Sequence, residues 1–177
     1  SFYTYCFTGG IAFTGLFAYV SGSPVVFMNV YGVGQRTYGW IFAFLSVGFI
    51  GSSQLNNILL KKFSSQQIIQ TMLICYAVFS ILFLIASQMA WLTLPVIILF
   101  LFLLLSCVGI VNPNTAALTL APFARNAGTA SALMGAIQMG MGALISVFIS
   151  LFEKPSTTPL ALAMTASAIL SLTVLRA

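Results

Sequence analysis

The chain is a series of long, continuous apolar runs separated by short polar or Gly/Pro-containing breaks. A helix that crosses a bilayer needs about 20 mostly apolar residues. The runs do not alternate between apolar and polar positions as the strands of a membrane barrel do. We therefore predict an all-α, polytopic membrane protein, a single six-helix bundle over residues 1–177. Its helices are predicted at about Phe2–Ser21, Thr37–Leu60, Gln67–Ser87, Leu94–Leu120, Gly128–Phe152 and Pro159–Leu175.

The breaks between the runs have the composition of loops. Ser21-Gly22-Ser23-Pro24 is predicted to end the first helix, because Gly and Pro mark turns. The basic stretch Lys61–Ser65 separates the second helix from the third, and Glu153–Pro159 separates the fifth from the sixth. The chain enters its first apolar run at once and stops soon after its last one, so we expect it to belong to a longer protein.

Composition and charge support lipid as the main solvent of this chain. Only 4% of its residues are charged and 60% are hydrophobic, whereas a soluble domain carries about 25% charged residues. The charged residues lie outside the middle of every apolar run, where ionised side chains are costly. They are Arg36, Lys61, Lys62, Arg125, Glu153, Lys154 and Arg176.

The basic residues also predict an orientation, because cytoplasmic loops are enriched in Lys and Arg. One side of the predicted bundle carries Arg36 and Lys154, and the other carries the remaining four basic residues. The second side is therefore predicted to be cytoplasmic. Six spans then place both ends of the segment in the cytoplasm.

Several classes of chemistry are excluded by what the chain lacks. It has no His and one acidic residue, so the base or ligand set of an intramembrane protease cannot be assembled. It has no phosphate-binding glycine loop, and its few basic residues are too dispersed for nucleic-acid binding. Cys6, Cys75 and Cys107 lack metal-ligand spacing and are predicted to be small apolar residues. We predict no enzyme activity, cofactor, metal or disulfide.

Two features inside the apolar runs indicate helix packing and a cavity. Small residues four apart, such as Gly128, Ala132, Ala136 and Gly140, are typical of close helix contacts in lipid; helices with such rows could also slide against partners. Asn112-Pro113-Asn114 interrupts the fourth run, and proline removes a backbone hydrogen bond. Its amides either satisfy the broken turn or line a cavity near the end of that helix.

The first three runs resemble the last three. An offset of 92 residues aligns Thr37 with Thr129 and Gly48 with Gly140. Three-plus-three repeats of this kind occur within each half of major facilitator transporters.

Four stretches of the chain resemble Bcr/CflA-type drug efflux transporters of the major facilitator superfamily. Ser21–Phe27 is similar to the end of their seventh helix. Asn112–Ala117 is similar to their tenth helix, and Ala127–Leu133 to the start of the eleventh. Gly51–Lys62 resembles a degenerate copy of the superfamily's cytoplasmic signature, in which Asn56 stands in place of an Asp.

The resemblance implies that the chain is the C-terminal half of a twelve-helix transporter in a bacterial plasma (inner) membrane. Such transporters are similar to proton-driven exporters of drugs such as bicyclomycin and chloramphenicol. The implied partners are an N-terminal six-helix half, a small lipophilic drug, protons and the lipid bilayer. The first, second, fourth and fifth helices would face the cavity, and the third and sixth would be peripheral. Candidate substrate-binding residues are Phe13, Phe17, Tyr19, Gln54, Asn112, Asn114, Met134 and Gln138.

Three other functions are compatible with six apolar helices. A major facilitator importer of a small metabolite would be expected to carry more polar or charged groups for its solute. A vitamin-binding subunit that docks onto an energy-coupling module has a similar size. A structural membrane subunit has no positive sequence feature in its favour.

The predicted orientation can be tested by cysteine labelling. With the native cysteines removed, Ser65→Cys and Ser156→Cys place one thiol on each predicted side of the membrane. A membrane-impermeant thiol reagent added to intact cells is expected to label Ser156→Cys, and to label Ser65→Cys only after the membrane is opened. Labelling of Ser65→Cys in intact cells would contradict the orientation.

Overall fold

A computed structural model of the protein describes residues 2–89, 92–152 and 155–176. Within these ranges it contains six α-helices and no strand. Each helix is long and apolar enough to cross a membrane, which confirms the prediction of an all-α polytopic membrane protein. The helices are α1 Phe2–Pro24, α2 Gln35–Leu59, α3 Ser65–Gln88, α4 Leu94–Leu120, α5 Ala127–Ser150 and α6 Thr158–Arg176.

The prediction that Ser21–Pro24 ends the first helix is wrong. The α-helix continues through Pro24, and a π-helical segment, Val25–Val30, extends it further. Pro24 has helical backbone angles, with φ −59° and ψ −45°. Its φ is close to the value that the proline ring imposes. A helix that stopped inside the bilayer would leave backbone groups without hydrogen bonds, so continuation is favoured. The chain turns later, at Gly32, where φ is +64°.

The extended end of α1 is held by two phenol groups. The hydroxyl groups of Ser23 and Tyr38 lie 2.9 Å apart and join α1 to α2. Beyond the spanning part, the Tyr31 hydroxyl donates to the carbonyl oxygen of Leu92. Burial raises the pKa of the Tyr31 phenol above its ordinary value, so this donor keeps its proton at physiological pH.

The helices are arranged around a central pair, α1 and α4, which pack against each other. α1 also packs on α5 and α6, α4 also packs on α2 and α3, and α3 packs on α6. α2 and α5 therefore flank the central pair, and α3 and α6 form a second layer. The two helices of this second layer are joined by the hydroxyl groups of Tyr76 in α3 and Ser167 in α6, which lie 2.8 Å apart.

The two ends of the bundle can be assigned from contacts between helix termini. Near the start of α1, Gln66 at the start of α3 donates to the Tyr5 hydroxyl at 2.8 Å. At the other end of α1, the hydroxyl groups of Ser21 and Ser146 lie 2.7 Å apart. We call the first end the basic end, because it carries Lys61, Lys62, Arg125 and Arg176.

The structure repeats itself after three helices. α1 and α4 begin at residues 2 and 94, α2 and α5 at 35 and 127, and α3 and α6 at 65 and 158. The offset is thus 92 or 93 residues throughout, which agrees with the sequence offset. The packing repeats too, because α1 contacts α5 and α6 as α4 contacts α2 and α3.

Glycines let the flanking helices approach the centre closely. A methyl group at Gly48 of α2 would lie 2.7 Å from the ring of Phe102 in α4, and one at Gly142 of α5 would lie 2.5 Å from the ring of Phe17 in α1. Both distances are shorter than van der Waals contact. The missing side chains therefore make room for a phenylalanine at each of these two interfaces, as small residues do in membrane helices generally.

Candidate functional site

The polar turn of α4, Asn112–Thr115, lies within a continuous helix. Pro113 has no N–H for the carbonyl group four residues earlier. Side chains reinforce the same region: Asn114 Nδ2 donates to the carbonyl oxygen of Ile110 at 2.8 Å, and the Thr115 hydroxyl contacts two backbone carbonyls at 3.0 and 3.1 Å. The amide of Asn114 thus contacts the carbonyl that follows the one left without its N–H donor by Pro113, that of Gly109.

Asn114 also joins α4 to α2. Its Nδ2 donates to Asn56 Oδ1 at 2.6 Å, and both residues are almost fully buried, 1% and 3% exposed. Both N–H groups of the Asn114 amide are then used, one toward Asn56 and one toward Ile110. Asn56, which stands where the resembling signature has an Asp, is therefore a neutral hydrogen-bond acceptor inside the bundle.

Asn112 extends the polar turn in another direction, toward α5. Gln138 Nε2 donates to Asn112 Oδ1 at 3.4 Å, a long hydrogen bond. Gln138 lies beside α1 at Gly10, where an added methyl group would be 3.8 Å from Gln138 Cγ. The small residue on α1 thus lets an α5 side chain reach α4.

Two aromatic side chains follow Gly10 along α1. The rings of Phe13 and Phe17 pack edge to face with centroids 5.6 Å apart, and Phe17 also lies against Gly142 of α5. Both phenylalanines are half-buried. We define the α1–α4–α5 site as Phe13, Phe17, Asn112 and Gln138, two aromatic rings and two amides where three helices meet.

The other predicted site residues lie elsewhere in the bundle. Tyr19 is 1% exposed and stacks on Phe42 of α2 with centroids 5.6 Å apart. Gln54 is exposed on α2, and Met134 is half-buried one turn before Gln138 on α5. Asn114 points away toward α2, as described above. The α1–α4–α5 site therefore contains four of the eight predicted residues, and Met134 extends its α5 wall.

The site is electrically neutral. The charged side chains of the described ranges are at helix ends or in connections, and those ranges contain no group of three or more His, Cys, Asp or Glu that could hold a metal ion. Amides can donate and accept hydrogen bonds but do not titrate. The arrangement is suited to reversible contact with an uncharged or aromatic molecule.

Sequence reasoning overlooked two parts of this arrangement. The hydrogen bond between Asn56 and Asn114 could have been anticipated, because an amide inside an apolar helix requires a hydrogen-bond partner and the apolar runs contain few such partners. Only a row of small residues on α1 indicated that Gly10 makes a close contact, and nothing indicated that its neighbour is Gln138. Both depend on which helices are neighbours.

Two curated proteins are similar to this chain over most of its length. It is 28% identical over 157 residues, 86% of the chain, to an uncharacterised MFS-type transporter, YdgK, of Bacillus subtilis (strain 168). It is 24% identical over 170 residues, 94% of the chain, to a bicyclomycin resistance protein homolog of Haemophilus influenzae. The chain spans 38% and 42% of the lengths of these relatives. No protein-family profile and no solved structure matches it.

The direction of the Asn114–Asn56 hydrogen bond can be tested with two aspartate substitutions. Asn114→Asp replaces a donor by an oxygen that faces the Ile110 carbonyl and Asn56 Oδ1. It should lower the free energy of unfolding by roughly 3–5 kcal/mol, as an uncompensated buried charge does. Asn56→Asp keeps an acceptor opposite the Asn114 amide and should cost clearly less. Thermal unfolding of the purified full-length protein in detergent measures both. A larger loss for Asn56→Asp would reverse the assigned donor and acceptor.

Proposed function

Because this chain is homologous to part of a major facilitator transporter, we propose that it is the C-terminal half of a secondary active multidrug exporter. The exporter would move lipophilic drugs by proton antiport, with alternating access between two six-helix halves. The relative named as a bicyclomycin resistance homolog supports the drug class. The resemblance of α1, α4 and α5 to the seventh, tenth and eleventh helices supports the C-terminal position.

The observation that carries the proposal is the neutral, aromatic character of the α1–α4–α5 site. Phe13 and Phe17 offer ring faces and edges, which contact apolar molecules of varied shape. Asn112 and Gln138 are joined by a hydrogen bond of 3.4 Å, long enough to be exchanged for a bond to a substrate. A charged solute would find no counter-ion among these four side chains, which favours lipophilic cargo over the polar solute of an importer.

The exposed faces of α2 and α5 are where we place the N-terminal half. Large apolar side chains are exposed on both helices, including Trp40 at 72% and Met139 at 59%. The row Gly128, Ala132, Ala136 and Gly140 is exposed as well. Rows of small residues permit close approach of a second helix in lipid. The row predicted to be a contact face is thus available for a partner outside this chain.

Alternating access requires the two halves to rock against each other. The flanking positions of α2 and α5 suit this movement, because each packs mainly on one helix of the central pair. The central pair and the second layer would then move as one body. The neutral Asn56–Asn114 bond would keep α2 attached to that body throughout the cycle.

Drug export can be tested by expressing the full-length protein in a drug-sensitive bacterial host. We expect the inhibitory concentration of at least one lipophilic drug to rise. Phe13→Ala should reduce that increase roughly twofold to tenfold, as the loss of an aromatic contact worth about 0.5–1.5 kcal/mol predicts. Phe79→Ala removes another half-buried phenylalanine, on second-layer α3, and should leave resistance unchanged at equal expression. Accumulation of a sugar or amino acid without any change in drug resistance would favour the importer.

Proton coupling is proposed to reside outside this chain. A group that carries a proton across a membrane is almost always an Asp, Glu or His within a span. The chain has no His, and its one acid is Glu153, which lies beside Lys154 in a connection. Both residues are outside the described ranges.

Glu153→Gln in the full-length protein is therefore expected to leave pH-driven drug efflux nearly unchanged in inverted membrane vesicles. The measurement is drug movement in response to an imposed pH gradient, with protein amount and drug binding determined in parallel. Loss of coupling with expression and binding intact would show that Glu153 carries the proton.

A further inference from the structure

A groove runs along the bundle between α5 and α6. Both helices pack on α1, but they barely touch each other. The space between them contains two cavities, one of about 520 Å³ in the middle of the spans and one of about 300 Å³ at the end opposite the basic end. We call these together the α5–α6 groove. α1 forms its floor.

The middle of the α5–α6 groove is apolar. Small residues of α6, Ala163 and Ala166, give it depth, and its walls are Ile11, Met141, Leu144, Ile145, Phe148, Leu162 and Leu170. Its two hydroxyl groups already have partners. Thr14 donates to the carbonyl of Ile11 at 2.6 Å, and Ser167 bonds to Met164 and Tyr76. A water molecule needs two to four polar partners, which this part of the groove does not provide.

The end of the groove is polar. Four serines line the 300 Å³ cavity there: Ser21, Ser146, Ser150 and Ser156. Ser21 and Ser146 bond to each other at 2.7 Å, and Ser146 also contacts the backbone of Gly142. Ser21 belongs to α1, Ser146 and Ser150 to α5, and Ser156 to the segment before α6. The groove is thus apolar between the middle parts of α1 and α6 and hydroxyl-lined beside the end of α5 and the start of α6.

We propose that the α5–α6 groove binds one acyl chain of a membrane phospholipid, with the glycerol-ester region beside the serines. The groove opens between a flanking helix and a second-layer helix, and in a bilayer the surrounding medium there is hydrocarbon. An empty groove would forfeit dispersion contacts on both walls. The change from apolar to hydroxyl lining follows the change from chain to ester in a lipid of the leaflet opposite the basic end. The inference depends on membrane insertion and is independent of the proposed cargo.

Photo-crosslinking tests this site directly. The full-length protein is reconstituted in nanodiscs that contain a phosphatidylcholine with a diazirine in its acyl chain, and labelled peptides are identified by mass spectrometry. Labelling is expected to concentrate on the facing parts of α5, residues 144–148, and α6, residues 162–170. The outer face of α3, which includes Ile74 and Val78, is exposed to the same lipid and provides the background.

Two substitutions separate a binding groove from ordinary lipid contact. Ala166→Phe fills the groove and is expected to lower labelling of the α5 and α6 peptides at least severalfold. Val78→Phe adds a ring to the exposed face of α3 and should change nothing. Leu170→Trp narrows the groove at its rim and should also lower labelling, which keeps the test valid if Ala166→Phe does not fold.

Four outcomes would overturn the proposal. The first is equal labelling of α3 and the groove, and the second is no effect of either groove-filling variant in folded protein. The third is crosslinking of the groove to a second copy of the protein. The fourth is saturable displacement of the lipid probe by a drug that the susceptibility assay has identified, which would make the groove a cargo site.

Discussion

A polar group inside a bilayer has no water to bond to, and this constraint shapes the hydrogen bonds between the helices. Hydroxyl side chains such as Thr14 and Ser80 bond to carbonyl oxygens of their own helix. The side chains that reach further bond between helices, as Asn114 does with Asn56. Interhelical bonds thus fix which helices are neighbours in a core where apolar side chains alone give little preference, because lipid is as apolar as the protein interior.

The central pair α1 and α4 concentrates these bonds. Within four residues, α4 reaches α2 through Asn114 and α5 through Asn112, while Thr115 lies directly against Gly9 of α1. One polar turn therefore contacts three helices, and the α1–α4–α5 site lies on one of its sides. Pro113 lies within this turn, and the helix continues through it.

Much of the fold could be predicted from the sequence. The predicted ends of the last five helices agree with the structure to within two residues, because apolar length alone defines a span. The end of the first helix could not be predicted, because Ser-Gly-Ser-Pro indicates a loop in a soluble protein. Here the helix continues through it because this part of α1 is buried against α2 and α6. For the site, the types of residue could be predicted from the sequence, but which residues of those types belong to it could not. Phe13 and Tyr19 are both aromatic residues of one apolar helix, and no periodicity indicates that one lines the site while the other is buried on α2.

The packing order of α1 has a consequence for how the protein is made. Ribosomes deliver a chain from its N-terminus, so α1 enters the membrane before the other five helices of this bundle. Its main packing partners, however, are α4, α5 and α6, the last three of these six helices to be synthesised. The Ser21 hydroxyl of α1, whose interhelical partner is Ser146 of α5, must therefore remain in the insertion machinery or in lipid until the second repeat arrives. The packing of α1 is therefore completed only when the last helices of the bundle have been inserted. Biogenesis factors must shield α1 for longer than any other helix of the bundle.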